Sequence, residues 1–162
     1  AIRFNFRGVG DSEGSHDHGQ GETSDLLHVL RTVPSLEGVR ERLAASYPVA
    51  LAGFSFGSFV AAQAARLLAD SARPVDYLVL VGAAAGKWPM PEVRADTLVI
   101  HGEHDEAISL AAVLEWARPQ GLPVLVIPGA DHFFHRRLPV LKARISAHIR
   151  GMSQFDAAEQ SH

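Results

Sequence analysis

The chain has 162 residues, of which 47% are hydrophobic and 20% are charged, and its formal net charge is −3. This length and composition predict a single globular domain, residues 1–150, with a substantial core. The small net charge and scattered basic residues argue against nucleic-acid and anionic-membrane surfaces, and no apolar run is long enough to span a membrane. The absence of cysteine excludes disulfides, thiol nucleophiles and thiolate metal sites. No signal peptide is visible, although that absence carries little weight, and the expected location is the cytoplasm.

The first 18 residues predict a strand followed by a loop. Residues 1–6 alternate in polarity, which favours a β-strand, and this strand begins with no start methionine and no leading turn, as if the chain had been cut there. Residues 7–14 are rich in glycine, but no lysine follows, so we interpret them as a loop at the end of a strand rather than a phosphate cradle. His16 and His18 are interpreted as solvated rather than metal-binding, because a metal site needs three or four fixed ligands.

Further along, short apolar runs alternate with stretches of helical periodicity. The predicted strands are 48–52, 75–81, 97–100 and 123–127, and the predicted helices are 23–33, 36–45, 58–69, 109–117 and 136–149. Strands too apolar to have a wet face belong to parallel sheets covered by helices. We therefore predict an α/β fold, a three-layer sandwich with a mostly parallel sheet and helices on both faces, followed by a disordered tail, 151–162.

The most informative motif is Gly53-Phe54-Ser55-Phe56-Gly57, which lies between a predicted strand and a predicted helix. A strand that turns into a helix within five residues forces its middle residue into a strained conformation, and small residues two positions away on each side make room for the turn. This is the context that the G-x-S-x-G nucleophile elbow requires. Ser55 is therefore the predicted nucleophile, beside the positive end of a helix.

A serine hydroxyl needs a base within hydrogen-bonding reach and an acid that fixes the tautomer of that base. Asp105 and His132 follow two later strands, and functional residues of such folds lie at the carboxyl ends of strands. We predict His132 as the base and Asp105 as the acid. The competing acids are Glu103, Glu106 and Asp131, and the competing bases are His101, His104 and His135.

A metal cluster of His101, Glu103, His104 and Asp105 is a further alternative. Its spacing fits no common helix-borne zinc motif, and a serine elbow needs no metal. We therefore predict neither a metal nor a cofactor.

Four motifs together resemble the α/β-hydrolase superfamily, and most closely its small, nearly lidless bacterial serine hydrolases. They are Arg-Gly-Val-Gly-Asp-Ser-Glu-Gly at 7–14, Gly-Phe-Ser-Phe-Gly at 53–57, His-Gly-Glu-His-Asp at 101–105 and Gly-Ala-Asp-His-Phe-Phe at 129–134. The motifs follow the order of the family, which imposes the sequence serine, acid, histidine. The resemblance implies a truncated, minimal version of this fold, in which residues 1–6 match the fourth of eight strands.

The resemblance also implies an oxyanion hole, formed by the backbone N–H of the residue after the nucleophile and by one from a loop that precedes residue 1. Phe56 would supply the first N–H, and we expect groups near Gly8 or Val9 to replace part of the second. We also expect the exposed strand edge or apolar surface to promote homodimerisation, since an open edge is prone to pairing.

The function expected from these residues is that of a permissive carboxylesterase that cleaves small, short-chain acyl esters through an acyl-enzyme. Phe54, Phe56, Trp88 and Met90 are the predicted apolar lining of a shallow pocket, although Trp88 and Met90 are equally well placed to fill the edge of the core. One alternative is a catalytically weak or inactive binding or assembly protein. Another keeps the triad but acts on thioesters or carbon–carbon bonds.

Overall fold

Four short apolar strands form one parallel sheet in the computed structural model, which describes residues 1–40 and 47–159, with side chains to residue 151. The strands are β1 (Ala50–Phe54), β2 (Tyr77–Val81), β3 (Leu98–Gly102) and β4 (Val124–Ile127), and they lie side by side in chain order. Each neighbouring pair is parallel. β2 is buried along its whole length, as expected for a strand covered on both faces.

Among the described residues, one α-helix precedes these strands and three others connect or follow them. They are α1 (Gln20–Thr32), α2 (Phe56–Leu68), α3 (Leu110–Ala117) and α4 (Leu138–Glu159). α1 ends just before the turn that contains Pro34, and the Ser109 side chain caps α3 by accepting a hydrogen bond from the Ala112 N–H. The predicted helices 23–33, 58–69, 109–117 and 136–149 are confirmed with shifts at their ends.

The alternating side chains of β2 divide the core between the two faces of the sheet. Leu78 and Leu80 belong to the larger cluster, which includes residues of α1, α2 and α3. Val79 and Val81 belong to a smaller cluster, against which residues of α4 pack. Helices therefore cover both faces, and the predicted three-layer α/β architecture is confirmed.

The prediction of a strand at residues 1–6 is wrong. This segment forms no ladder and is largely exposed, and Ile2 and Phe4 instead line a groove of about 510 Å³ beside β1 and α1. A strand needs a hydrogen-bonded partner, and in the described sheet β1 pairs only with β2. Alternating polarity cannot reveal whether that partner is present.

Two other predictions differ at the ends of their segments. The helix predicted for 36–45 is a bend and turns over 36–39, and residues 41–46 lie outside the described residues. The last helix, predicted for 136–149, begins at Leu138 and extends as far as Glu159. The disordered tail expected for 151–162 stays a prediction.

Candidate active site

Ser55 occupies a strained turn between β1 and α2. Its backbone angles are φ 53° and ψ −124°, a combination that non-glycine residues rarely adopt and that typically costs about 1–3 kcal/mol. The Ser55 N–H donates to the Val81 carbonyl at 2.9 Å, which fixes the turn to the end of β2. A Cβ atom at Gly53 would lie 2.1 Å from the Gly57 carbonyl oxygen, so the turn requires glycine at position 53. The geometry is that of a nucleophile elbow.

A chain of two hydrogen bonds joins the ends of three strands. His132 Nε2 lies 3.0 Å from Ser55 Oγ, and His132 Nδ1 lies 2.7 Å from Asp105 Oδ2. Because a carboxylate only accepts, Nδ1 carries the proton and Nε2 presents its lone pair to the serine hydroxyl. The structure therefore brings together the three residues predicted to be catalytic, in the connectivity that activates a serine.

Backbone and side-chain contacts hold the Asp105 carboxylate firmly. Asp105 Oδ1 accepts from the Ala107 N–H at 2.9 Å and from the Ile108 N–H at 2.8 Å. His101 is fully buried behind it, with Nε2 donating to the Ile108 carbonyl at 3.0 Å and lying 3.5 Å from Asp105 Oδ2. Burial lowers the pKa of His101. Because the ring is fully buried and its Nε2 is committed to a backbone carbonyl, we assign His101 to the support of the acid loop rather than to the role of base.

Four of the other competing acids and bases form two acid–histidine pairs, Asp131 with His135 and Glu103 with His104. Asp131 accepts from His135 Nδ1 at 2.6 Å, and both side chains are exposed. His104 lies 3.7 Å from Glu103, whose carboxylate accepts from the Gly129 N–H. No group of three or more His, Cys, Asp or Glu within the described ranges is arranged to hold a metal ion, so the alternative cluster at 101–105 is not assembled there.

The amide groups of Gly8 and Val9 are committed to their own loop. The Gly8 N–H donates to the Glu13 carbonyl at 3.1 Å, and the Val9 N–H donates to the Phe6 carbonyl at 3.0 Å. A donor used in this way is not free to bind an oxyanion. We therefore do not carry forward the expectation that either residue completes the oxyanion hole.

The segment after this loop contains a charge network that the sequence reasoning missed. Glu22 is fully buried and accepts from the backbone N–H groups of Asp17 and Gly19, both at 2.8 Å. His16 Nδ1 lies 3.0 Å from Glu22 Oε1, so His16 is not simply solvated as predicted. Arg7 makes a bidentate pair with Asp25 at 2.7 and 2.8 Å. Glu22 is the third residue of α1, a position from which an acidic side chain commonly accepts from the backbone at the start of the helix. Its complete burial is set by the tertiary fold and has no signal in the sequence.

Aromatic side chains lie on both sides of Ser55. Phe54, with 42% of its surface exposed, has its ring 4.9 Å from that of His132. Phe56 has its ring 4.8 Å from that of Trp88, which also stacks on Phe59 at 5.3 Å. Trp88 and Met90 both pack against the main core, as the alternative interpretation predicted, and their place in a pocket lining stays a prediction.

Two cavities, of about 320 and 510 Å³, lie elsewhere. Neither is lined by Ser55, Asp105 or His132. Within the candidate site, Ser55 is half-buried, whereas Asp105 and His132 are buried. The predicted shallow pocket stays a prediction.

Two small residues support the site without having been predicted to do so. The buried Ser58 hydroxyl donates to the Ser55 carbonyl at 2.6 Å and accepts from the Ala84 N–H at 3.0 Å. Gly82, with φ 56°, follows β2, and a Cβ atom there would contact His132 at 3.4 Å and Phe54 at 3.5 Å. A glycine directly after a buried strand was the available signal for the second of these residues.

Comparison with known proteins agrees with the geometry. No protein-family model matches the chain. It is similar to XC6422 from Xanthomonas campestris, described as an α/β serine hydrolase without a lid, with 37% identity and a TM-score of 0.78 over 91% of this chain and 64% of that one. An α/β serine hydrolase homologue from Coxiella burnetii is 33% identical, with a TM-score of 0.65, over 92% of this chain and 67% of that one.

The chain belongs to the α/β-hydrolase superfamily. Among curated proteins, the lysophosphatidylserine lipase ABHD12 of Danio rerio is 35% identical over 79 residues, which is 49% of this chain and 19% of that protein. This α/β hydrolase thus spans about two thirds of the solved relatives and matches about a fifth of the curated one. In the described part of the chain, no helix is both long and apolar enough to cross a membrane.

Proposed function

We propose that this α/β hydrolase is a carboxylesterase for small, short-chain acyl esters, with Ser55 as nucleophile, His132 as general base and acid, and Asp105 as the group that orients the imidazole. The observation that carries the proposal is the continuous chain of hydrogen bonds from Ser55 through His132 to Asp105. The half-buried position of Ser55, beside the exposed ring of Phe54, supports a site that small esters can reach.

In the proposed reaction, Ser55 Oγ attacks the acyl carbonyl while His132 Nε2 takes the hydroxyl proton. The carbonyl oxygen becomes an oxyanion, and we assign the Phe56 N–H as its donor. Phe56 is the first residue of α2, where N–H groups have no acceptor within the helix and where the helix dipole favours negative charge. Return of the proton to the leaving oxygen releases the alcohol, and water repeats the cycle on the acyl-enzyme.

A second candidate function is that of a binding protein with an inactive serine. The observation in its favour is that the Gly8 and Val9 amides are occupied, which leaves Phe56 as the assigned oxyanion donor. Loss of one such donor typically lowers the rate about 100-fold to 1000-fold. A weak but measurable esterase and an inactive protein are therefore the two outcomes to separate.

The test is hydrolysis of p-nitrophenyl esters of increasing acyl length, together with a thioester of the shortest acyl group. Ser71→Ala is a matched control, because Ser71 is an exposed serine that bonds only its own turn. We expect turnover that falls with acyl length, disappears in Ser55→Ala and persists in Ser71→Ala. Equal activity of the two variants, or no turnover by a folded wild type, would contradict the proposal. Preference for the thioester would redirect it to thioesterase chemistry.

A further inference from the structure

Two exposed phenylalanines flank the ring of His132. The Phe54 ring centroid lies 4.9 Å from that of His132, the Phe133 centroid lies 5.1 Å from it, and the two phenylalanine rings are 6.0 Å apart. The exposed fractions are 42% for Phe54 and 62% for Phe133. Single exposed apolar residues are common, but a contiguous aromatic pair beside a reactive imidazole indicates a surface that binds something apolar.

The exposure of Phe133 is built into its loop. Its neighbour Phe134 is buried in the core cluster that faces α4, and the Phe134 N–H donates to the Asp131 carbonyl at 3.1 Å. On the other side, His132 is held by Ser55 and Asp105. With both neighbours fixed, the Phe133 side chain lies exposed beside the imidazole.

The position of the pair relative to His132 gives it a role in the proposed reaction. His132 Nε2 must protonate the leaving oxygen, so the alcohol part of the ester has to lie next to the imidazole. Phe54 and Phe133 contact that ring, whereas Phe56 and Trp88 form a second aromatic group around His16. The first pair is therefore on the side of the leaving group, and the second group is available to the acyl chain.

We propose that Phe54 and Phe133 form a leaving-group subsite that selects esters of flat aromatic alcohols. The inference rests on the proposed esterase function. Two rings about 6.0 Å apart present faces and edges on which a third planar ring can stack, and such ring pairs are favoured beyond simple burial of area. A small alkyl alcohol covers little of this surface and gains little from it.

The test compares two esters with the same acyl group, 2-naphthyl acetate and ethyl acetate. The measured quantity is the ratio of their kcat/KM values, because kcat/KM covers the steps through acylation, in which the alcohol leaves. Phe133→Ala should lower this ratio about tenfold, mainly through a higher KM for the naphthyl ester, and Phe133→Tyr should restore it. Leu67→Ala, which removes an exposed apolar side chain at the end of α2, should leave the ratio unchanged.

The possible results distinguish failure of the leaving-group subsite from failure of the proposed esterase function. An unchanged ratio in Phe133→Ala, or an equal loss for both esters, overturns the subsite while leaving the esterase in place. If wild type hydrolyses neither acetate and a fluorophosphonate does not label Ser55, the proposed function fails and the subsite fails with it. A ratio that falls equally in Leu67→Ala also overturns the inference, since the effect would then not be local.

Discussion

The carboxyl ends of the strands and the outer edge of β1 differ in how fully their polar groups are hydrogen-bonded. At the strand ends, Ser55, His132 and Asp105 are joined by hydrogen bonds, and backbone N–H groups secure the acid. At the outer edge, β1 has a ladder partner on one side among the described strands and borders an open apolar groove on the other. The three hydrogen-bonded side chains follow β1, β3 and β4, and none of them lines that groove.

The largest expected effect comes from breaking the strand-end network at its acid. Asp105→Asn keeps the shape of the side chain but removes the charge that holds the proton on His132 Nδ1. We expect kcat/KM for p-nitrophenyl acetate to fall about 10³-fold to 10⁴-fold. Glu106→Gln, at an exposed neighbouring carboxylate, is the matched control and should retain activity. A similar loss in both variants would contradict the assignment of the acid.

The next largest effect is expected from a substitution in the turn that carries Ser55, measured as a change in unfolding free energy. Gly53→Ala forces a Cβ atom to within 2.1 Å of a backbone oxygen, so we expect a loss of about 3 kcal/mol or more in unfolding free energy. Gly57→Ala meets only the Phe6 ring at 3.8 Å and should be neutral or slightly stabilising in the helix. Urea unfolding of both variants measures the difference, and equal midpoints would show that the turn is not constrained as described.

Ser58 connects the elbow to the loop after β2, and its removal tests that link. Ser58→Ala leaves the buried Ala84 N–H without its acceptor, and we expect a loss of about 2 kcal/mol in unfolding free energy. Ser71→Ala, at the surface, should change it by less than about 0.5 kcal/mol. Chemical denaturation measures both values, and equal losses would rule out a structural role for the buried hydroxyl.

The buried carboxylate of Glu22 should make the stability of the protein depend on pH. Burial alone would raise the pKa of this carboxyl, but the backbone N–H donors of Asp17 and Gly19, together with His16, bring it below its ordinary value. A carboxyl whose pKa is lower in the folded state stabilises the protein above its unfolded pKa, and that contribution is lost as the pH falls through the folded value.

The difference in unfolding free energy between wild type and Glu22→Gln should therefore be largest near neutral pH and should shrink below about pH 4. Denaturant unfolding at a series of pH values measures it. A difference that is constant, or that grows in acid, would mean that the carboxylate is not stabilised by its backbone donors.

The smallest expected effect concerns the open edge. We expect two copies to associate weakly through β1, because an unpaired strand edge offers a row of free backbone groups. Ala50→Lys places a charge on this exposed edge and should weaken the association without altering esterase activity. Light scattering at increasing concentration measures it, and a clean monomer at high concentration would contradict the expectation.

The sequence predicted the buried strands and the geometry of the reactive residues well, for a physical reason. Apolar runs such as Tyr77–Val81 can only be interior, and parallel strands bring their carboxyl ends to one edge. Ser55, Asp105 and His132 therefore had to converge once each was placed after its strand. Their catalytic role remains a prediction.

The features that the sequence did not predict depend on tertiary contacts. Alternation at residues 1–6 gave no information on a ladder partner, and glycine density at residues 7–14 gave none on where the amides of Gly8 and Val9 would point. The burial of Glu22 and the outward position of Phe133 likewise depend on how their loops are anchored. Residues whose role is set by distant packing leave a weak local signal.

The most direct test of the central claim is to treat the folded protein with a fluorophosphonate and to locate the adduct by peptide mass spectrometry. We predict a single adduct on Ser55, which disappears in His132→Ala because the serine then lacks its base. An unmodified Ser55 in folded wild type, or labelling that persists unchanged in His132→Ala, would show that the hydrogen-bonded chain from Ser55 to Asp105 does not activate the serine.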